Sequence, residues 1–368
     1  MHNTQTTSTL LVVLLAATAG ACAGPAPTVG VANQALCPAS DLLAQAVCVC
    51  GDLVTDGALR VGDGAPGNAD LGVAGSLHLS GAVDVDGTVR ALGSVDLPGS
   101  MSTSALLSNG DLDVSGSLDV AGDTHVAGDL VVSGSALIGQ ELQVGGSEEV
   151  TGSAEASVRA PFAAPIAPPC GCDEAQLFDV AGAVAAAAAS SGGAESWSVD
   201  GAYEVTLATG SYYLTSATLN GATSVTVDGA VALFIDGDLM NAGATEWILS
   251  DGASLDLFVA GNLDVAGALE IGDAAHADAV RVYVGGDADA TVDLSGSTTL
   301  YGSLYAPRAA VTFTGSGQLA GALFTRNLDV SGSLTVSSGA ATTPPPSCQQ
   351  PPSEPPAGGT APGTEVVQ

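Results

Sequence analysis

A six-residue beat constrains this chain more than any other feature. From Gly110 it reads GDLDVS, GSLDVA, GDTHVA, GDLVVS, GSALIG, QELQVG. Each unit starts with glycine or a polar residue and carries aliphatic side chains at its third and fifth places. Alternate side chains of an extended chain share a face. Leu112/Val114, Leu118/Val120 and Leu130/Val132 therefore point one way, and Asp111, Asp113, Asp119 and Asp129 the other. A leading glycine permits a bend that a Cβ would hinder. Short strands bent every six residues wind into a parallel β-helix of three strands and about eighteen residues per coil. No single coil buries its Leu/Val face; stacking does. The predicted fold is all-β: a right-handed parallel β-helix in two blocks, with one short Ala-rich capping helix between them.

An eighteen-residue coil predicts particular neighbours. Arg60, His78 and Asp96 form one outward column, Asp111 lies beside Asp129, and Asp123 lies beside Glu141. Bare carboxylates about 4.8 Å apart repel by about 1 kcal/mol in water, so salt or divalent cations are expected to stabilise the first block.

The organisation reads as residues 1–21, a signal peptide; 22–50, a Cys-containing linker; 51–148, the hexad block; 149–172, a second linker; 173–338, a helix plus a larger-coil β-helix; and 339–368, a Pro-rich tail unable to form a core. Asp173 is expected to cap a helix from Glu174 to about Ala188. Every aromatic residue lies between Phe162 and Phe324. In the larger-coil block Leu233/Ile235, Leu257/Val259 and Val282/Val284 share inward parity. Phe234, Phe258 and Tyr283 fall on the other face as a possible ligand-binding ladder, unless the helix or a loop covers them.

Leu10 to Ala17 is too short to span a bilayer and reads as the apolar core of an export signal. Thr18-Ala19-Gly20-Ala21-Cys22 is similar to a lipoprotein cleavage site, with Cys22 the lipidated residue. Ala19-Gly20-Ala21 also satisfies the rule for ordinary secretion. The expected location is the outer membrane or cell surface, the alternative being release. Cys37, Cys48, Cys50, Cys170, Cys172 and Cys348 are then disulfide candidates. A zinc site of Cys48, Cys50, Cys170 and Cys172 is the alternative, opposed by C-x-C spacing and an oxidising compartment. The six basic residues, all Arg, face 39 acidic ones, for a net charge of -33. That field repels phosphates, so nucleic acid is not an expected partner.

The repeated G-x-[LV]-x-[VL]-x units resemble the bactofilin, or polymer-forming cytoskeletal, pattern. The segments LFIDGDL, LFVAGNL, YGSLYAPRAAV and GALFTRNLDVSG resemble a β-helical domain of unknown function in exported proteins of myxobacteria and relatives. The first resemblance implies self-association through helix ends; the second implies export and no assigned activity.

No nucleotide, hydrolase or zinc-protease motif is present, and no cofactor is expected. Arg281, Arg308 and Arg326, with Asp236, Asp238, Asp287 and Asp289 nearby in sequence, could serve polysaccharide-lyase chemistry, but the favoured reading is outward charges on strand edges. His276 is the only histidine of the second block. The expectation is a non-enzymatic, exported structural or surface-interaction protein of the cell envelope. It would be anchored to the membrane by lipid, with an envelope polysaccharide or protein as partner. The alternatives are a carbohydrate-binding or polysaccharide-processing β-helix, and a self-assembling scaffold.

Overall fold

The computed structural model describes residues 45–64, 69–162, 164–191, 195–274, 276–286 and 290–337. The signal peptide, Cys22, Cys37, Cys348, Asp287, Asp289 and the Pro-rich tail lie outside them. The fold is a parallel β-solenoid of about 14 turns with one α-helix.

The two blocks form one solenoid, joined out of sequence order. The coil 47–61 stacks on the coil 323–336. Val47 pairs with both Leu71 and Leu323, Leu53 with Leu77 and Leu328, and Leu59 with Val83 and Leu334, all in parallel. In space the rod begins with 195–199, advances to 336, continues through 47, and ends at 161. The chain therefore enters at mid-rod, winds to one end, returns along the side, and winds back to the middle.

One corner explains why the two blocks fit. Glycines stack there in the order Gly201, Gly221, Gly243, Gly267, Gly296, Gly315, Gly332, Gly57, Gly81, Gly99, Gly116, Gly134, Gly152. A Cβ on Gly116 would lie 1.8 Å from the Gly99 carbonyl oxygen, and one on Gly57 would lie 1.9 Å from that of Gly332. Side chains cannot occupy this approach, so the corner demands glycine in both blocks and across their junction. Each of these glycines is followed by Ala or Ser.

A second corner is tied by side-chain oxygens accepting N–H groups from the next coil. Asn327 Oδ1 accepts from Asp52 at 3.1 Å, Asp52 from Ser76 at 2.8 Å, Asp111 from Asp129 at 2.8 Å, and Asp129 from Ser147 at 2.6 Å. Asp238 and Asn262 do the same for Asn262 and Thr291. Asp123 accepts from the Glu141 N–H at 3.1 Å. The stacked acids that were expected to repel thus serve as acceptors for otherwise unpaired backbone donors. The Arg60–His78–Asp96 column also needs correction. The loop after Val61 lengthens the first coil to 24 residues (Ala58 pairs with Ala82), so Arg60 meets Asp84 at 2.5 Å while His78 meets Asp96 at 2.7 Å.

The segment from 149, expected as linker, forms one more coil through strands Glu148–Val150 and Ser153–Pro161. Its Gly152-Ser153 keeps the corner dipeptide, but its core columns change character. Glu148 follows Leu130, and Arg159 follows Leu142. Arg159 bonds the Glu148 carboxylate and donates to the Ala154 carbonyl at 3.0 Å. This ion pair closes the mouth of the rod with charge where a Leu pair would invite stacking. Replacing both residues by Leu is expected to produce concentration-dependent association in light scattering, with the parent chain unaffected.

Two hydrogen bonds, from the Ser147 backbone and hydroxyl, hold the Asp129 carboxyl below its ordinary range. A depressed folded-state pKa stabilises above the unfolded value near about 3.9 and is lost as pH falls through the folded value. Asp129→Asn keeps the acceptor, as Asn262 and Asn327 do. Its melting temperature should therefore fall less steeply below about pH 4 than that of the parent.

Candidate functional site: a strap over an aromatic ladder

Corresponding residues of successive coils form an outward column on the strap side: Tyr213, Phe234, Phe258, Tyr283, Tyr305, Phe324, then Cys48 and Gly72. Coil spacing sets the ring spacing. Phe234 and Phe258 stack at 4.7 Å and 6°, Phe258 and Tyr283 at 4.6 Å and 7°, and Tyr305 and Phe324 sit 5.1 Å apart.

The returning segment covers this column. Asn109 fixes its start by exchanging two hydrogen bonds with the backbone of Ile166, at 3.0 and 2.9 Å. Gln45 donates to the Pro169 carbonyl. Cys170 bonds to Cys48, and Cys172 to Cys50. Alternate residues of one strand thereby hold alternate residues of the strap. Gly72 leaves the room this needs: a Cβ there would lie 2.9 Å from the Cys170 sulfur. Further along, Glu174 pairs with Arg308 at 2.9 Å.

The helix begins later than the Asp173 cap predicted. Asp173 accepts from Ala175 and closes only a turn. Phe178 then enters the ladder with ring centroids 5.6 Å from Tyr283 and 6.1 Å from Phe258, and its N–H donates to the Tyr305 hydroxyl at 2.9 Å. An N–H bound there cannot continue a helix. Helix α1 runs Val180–Ser190, capped by Asp179 accepting from Gly182, and buries Val180, Ala183, Val184 and Ala187. That spacing places one narrow stripe on the rings. Alanine's small side chain lets the helix lie close to flat aromatic faces.

Phe234, Phe258 and Tyr283, proposed from sequence as a ligand face, are therefore 4, 2 and 2% exposed. The rings meet the protein's own helix, which removes them from solvent as apolar area requires. Tyr213, Tyr305, Phe324 and Phe178 complete the cluster. Tyr213 and Tyr305 each lie one coil from a predicted ladder residue and Phe324 two coils from Tyr283, and that periodicity was the available signal. Burial, then Asp256, pushes the Tyr283 hydroxyl well above its usual range. Burial, then the Asp236 hydrogen bond, raises Tyr213. These phenols are neutral packing groups, and Tyr213 donates to Asp236 at 3.0 Å.

The described members of the arginine–aspartate set are not brought together. Arg281 makes two hydrogen bonds to Asp256, at 2.5 and 2.9 Å. Arg308 is held by Glu174, Asp236 by Tyr213 at 3.0 Å, and Asp238 by Asn262. Arg326 is exposed. His276 sits in a surface turn 3.1 Å from Asp273, whose hydrogen bond raises its pKa. The sulfurs of Cys48, Cys170 and Cys172 lie within 4.8 Å of one another, but as disulfides they offer no thiolate to zinc. Two open grooves of about 560 and 430 Å³ run along the Gly-Ala/Ser side. Glu204, Glu246 and Glu270 border the first; Arg60, Asp84 and Asp119 border the second.

The fold and its covering define a β-solenoid closed by a disulfide-tied strap. Residues 174–341 match the family described as "Domain of unknown function (DUF7305)", a span that includes α1 and the larger coils but not the hexad block. No curated protein and no solved structure matches the chain.

Phe258 contacts rings on three sides. Phe258→Ala should cost about 3–5 kcal/mol, measured by denaturant unfolding, and should increase amide exchange in α1.

Proposed function

We propose that the chain is a non-enzymatic structural protein of the cell envelope, exported and anchored by lipid at Cys22. The observation that carries the structural part is the pairing of charge along the rod. Arg60–Asp84, Arg90–Asp70 and Arg281–Asp256 each link neighbouring coils, at 2.5, 2.6 and 2.5 Å. Of the arginines that chemistry on an acidic polysaccharide would use, Arg281 is engaged in holding coil to coil and Arg308 in holding the strap. The covered ladder likewise leaves a sugar-stacking reading without its rings. Disulfides at Cys48–Cys170 and Cys50–Cys172 support export, because such bonds persist outside the reducing cytosol. The Glu148–Arg159 closure favours a discrete rod over a filament.

Two measurements test this. The full chain incubated with uronic-acid polymers should release no unsaturated or reducing ends, and robust turnover would overturn the structural reading. In an exporting bacterial host, radiolabelled palmitate should enter the parent chain and not Cys22→Ala. Equal labelling, or none in either, would remove the anchor.

A further inference from the structure

We infer that the rod is attached to its lipid surface by the waist, as a crossbar with both ends free. This rests on the anchor proposed above, and deepens it. The described chain enters at Gln45 and leaves at Ser337, and both lie at the out-of-order junction. The Leu323 N–H donates to the Ala46 carbonyl at 2.9 Å, and the Gly321 N–H to the Ser337 carbonyl at 2.8 Å. Residues two apart on one stretch of chain thus hold the entry and exit points, placing them within about 7 Å of each other.

The junction lies at the middle of the rod. On the strap-side column, six coils from Tyr213 to Phe324 lie on one side of it. Seven lie on the other, through Cys48, Gly72, Arg90, Leu107, His125, Gln143 and Ala160. At about 4.8 Å per coil the two arms are about 29 and 34 Å long. A solenoid whose chain ran in sequence order would enter at one end and leave at the other, and an N-terminal lipid would stand it upright. Here the same lipid holds the centre.

Charge does not favour a tilt toward either end. Carboxylates line both arms, Asp84 and Asp119 on one, Glu246 and Glu270 on the other, so an anionic headgroup layer repels both alike. Cys22 precedes Gln45 by 23 residues (45 − 22). Held at its centre, the rod presents its two ends and its long Gly-Ala/Ser side.

The test has two arms. First, a biotin-acceptor peptide inserted directly after Ser337 of the full chain is marked with streptavidin and imaged by negative-stain electron microscopy. The mark is expected beside the midpoint of a rod about 60 Å long; a mark at one tip overturns the inference. Second, chain purified from membranes of an exporting host is placed in lipid nanodiscs. The expected image is a disc joined near mid-rod, and discs joined at one tip overturn the inference. A midpoint mark in the first arm, with no disc bound and no lipid on Cys22 by mass spectrometry, overturns the anchor on which the inference rests.

Discussion

The whole structure depends on how closely one coil's backbone approaches the next at the glycine corner. A carbonyl oxygen sits where a Cβ would be, 1.8 Å from the built position at Gly116. Only glycine satisfies that geometry, and only if the partner coil has the same bend at the same height. Once the corner is set, the parallel strands on either side fall into register, and inward Leu and Val meet their own kind. The junction between blocks is therefore an ordinary contact of the solenoid. Gly57 meets Gly332 as Gly81 meets Gly57.

Polar groups serve that stacking. The Asp/Asn corner accepts N–H groups that a bend leaves unpaired, which gives the acidic composition a local purpose. Arg60, Arg90 and Arg281 pair between coils, where partly exposed ion pairs contribute little energy individually but hold lateral alignment. One outward column of aromatic side chains is sealed by a helix made largely of alanine. The disulfides fix the strap at the junction, where Cys48 and Cys50 lie on the coil that follows Phe324.

Much of this was legible in the sequence. Alternation in GSLDVAGD gave strands and faces, and glycine spacing gave coils. The aromatic ladder followed from Phe234, Phe258 and Tyr283. Residues 149–161 read as linker because the inward positions of their coil carry Glu148, Ala154, Ala156 and Arg159, as a closing coil must. The helix start was misplaced because Asp173 is a good cap by composition, while the docking of Phe178 on Tyr305 is tertiary. The order of the blocks escaped because local periodicity does not say which coil neighbours which. The shared Gly-Ala and Gly-Ser dipeptides show that corners of the two blocks are compatible, but not which coils meet. The site was less legible than the fold: pairings such as Arg281–Asp256 and Arg308–Glu174 depend on coil lengths that vary through the second block.

The central claim is the stacking of 47–61 on 323–336. Glu155 and Glu204 are exposed and share one column, separated by twelve coil steps through Ser224, Glu246, Glu270, Thr299, Gln318, Thr335, Arg60, Asp84, Ser102, Asp119 and Leu137. Spin labels introduced at these two positions through an unnatural amino acid report that distance by pulsed electron resonance. One continuous solenoid predicts a narrow distribution near 58 Å, at about 4.8 Å per step. A broad distribution, or one centred well below that value, would show two blocks that do not stack and would contradict the account.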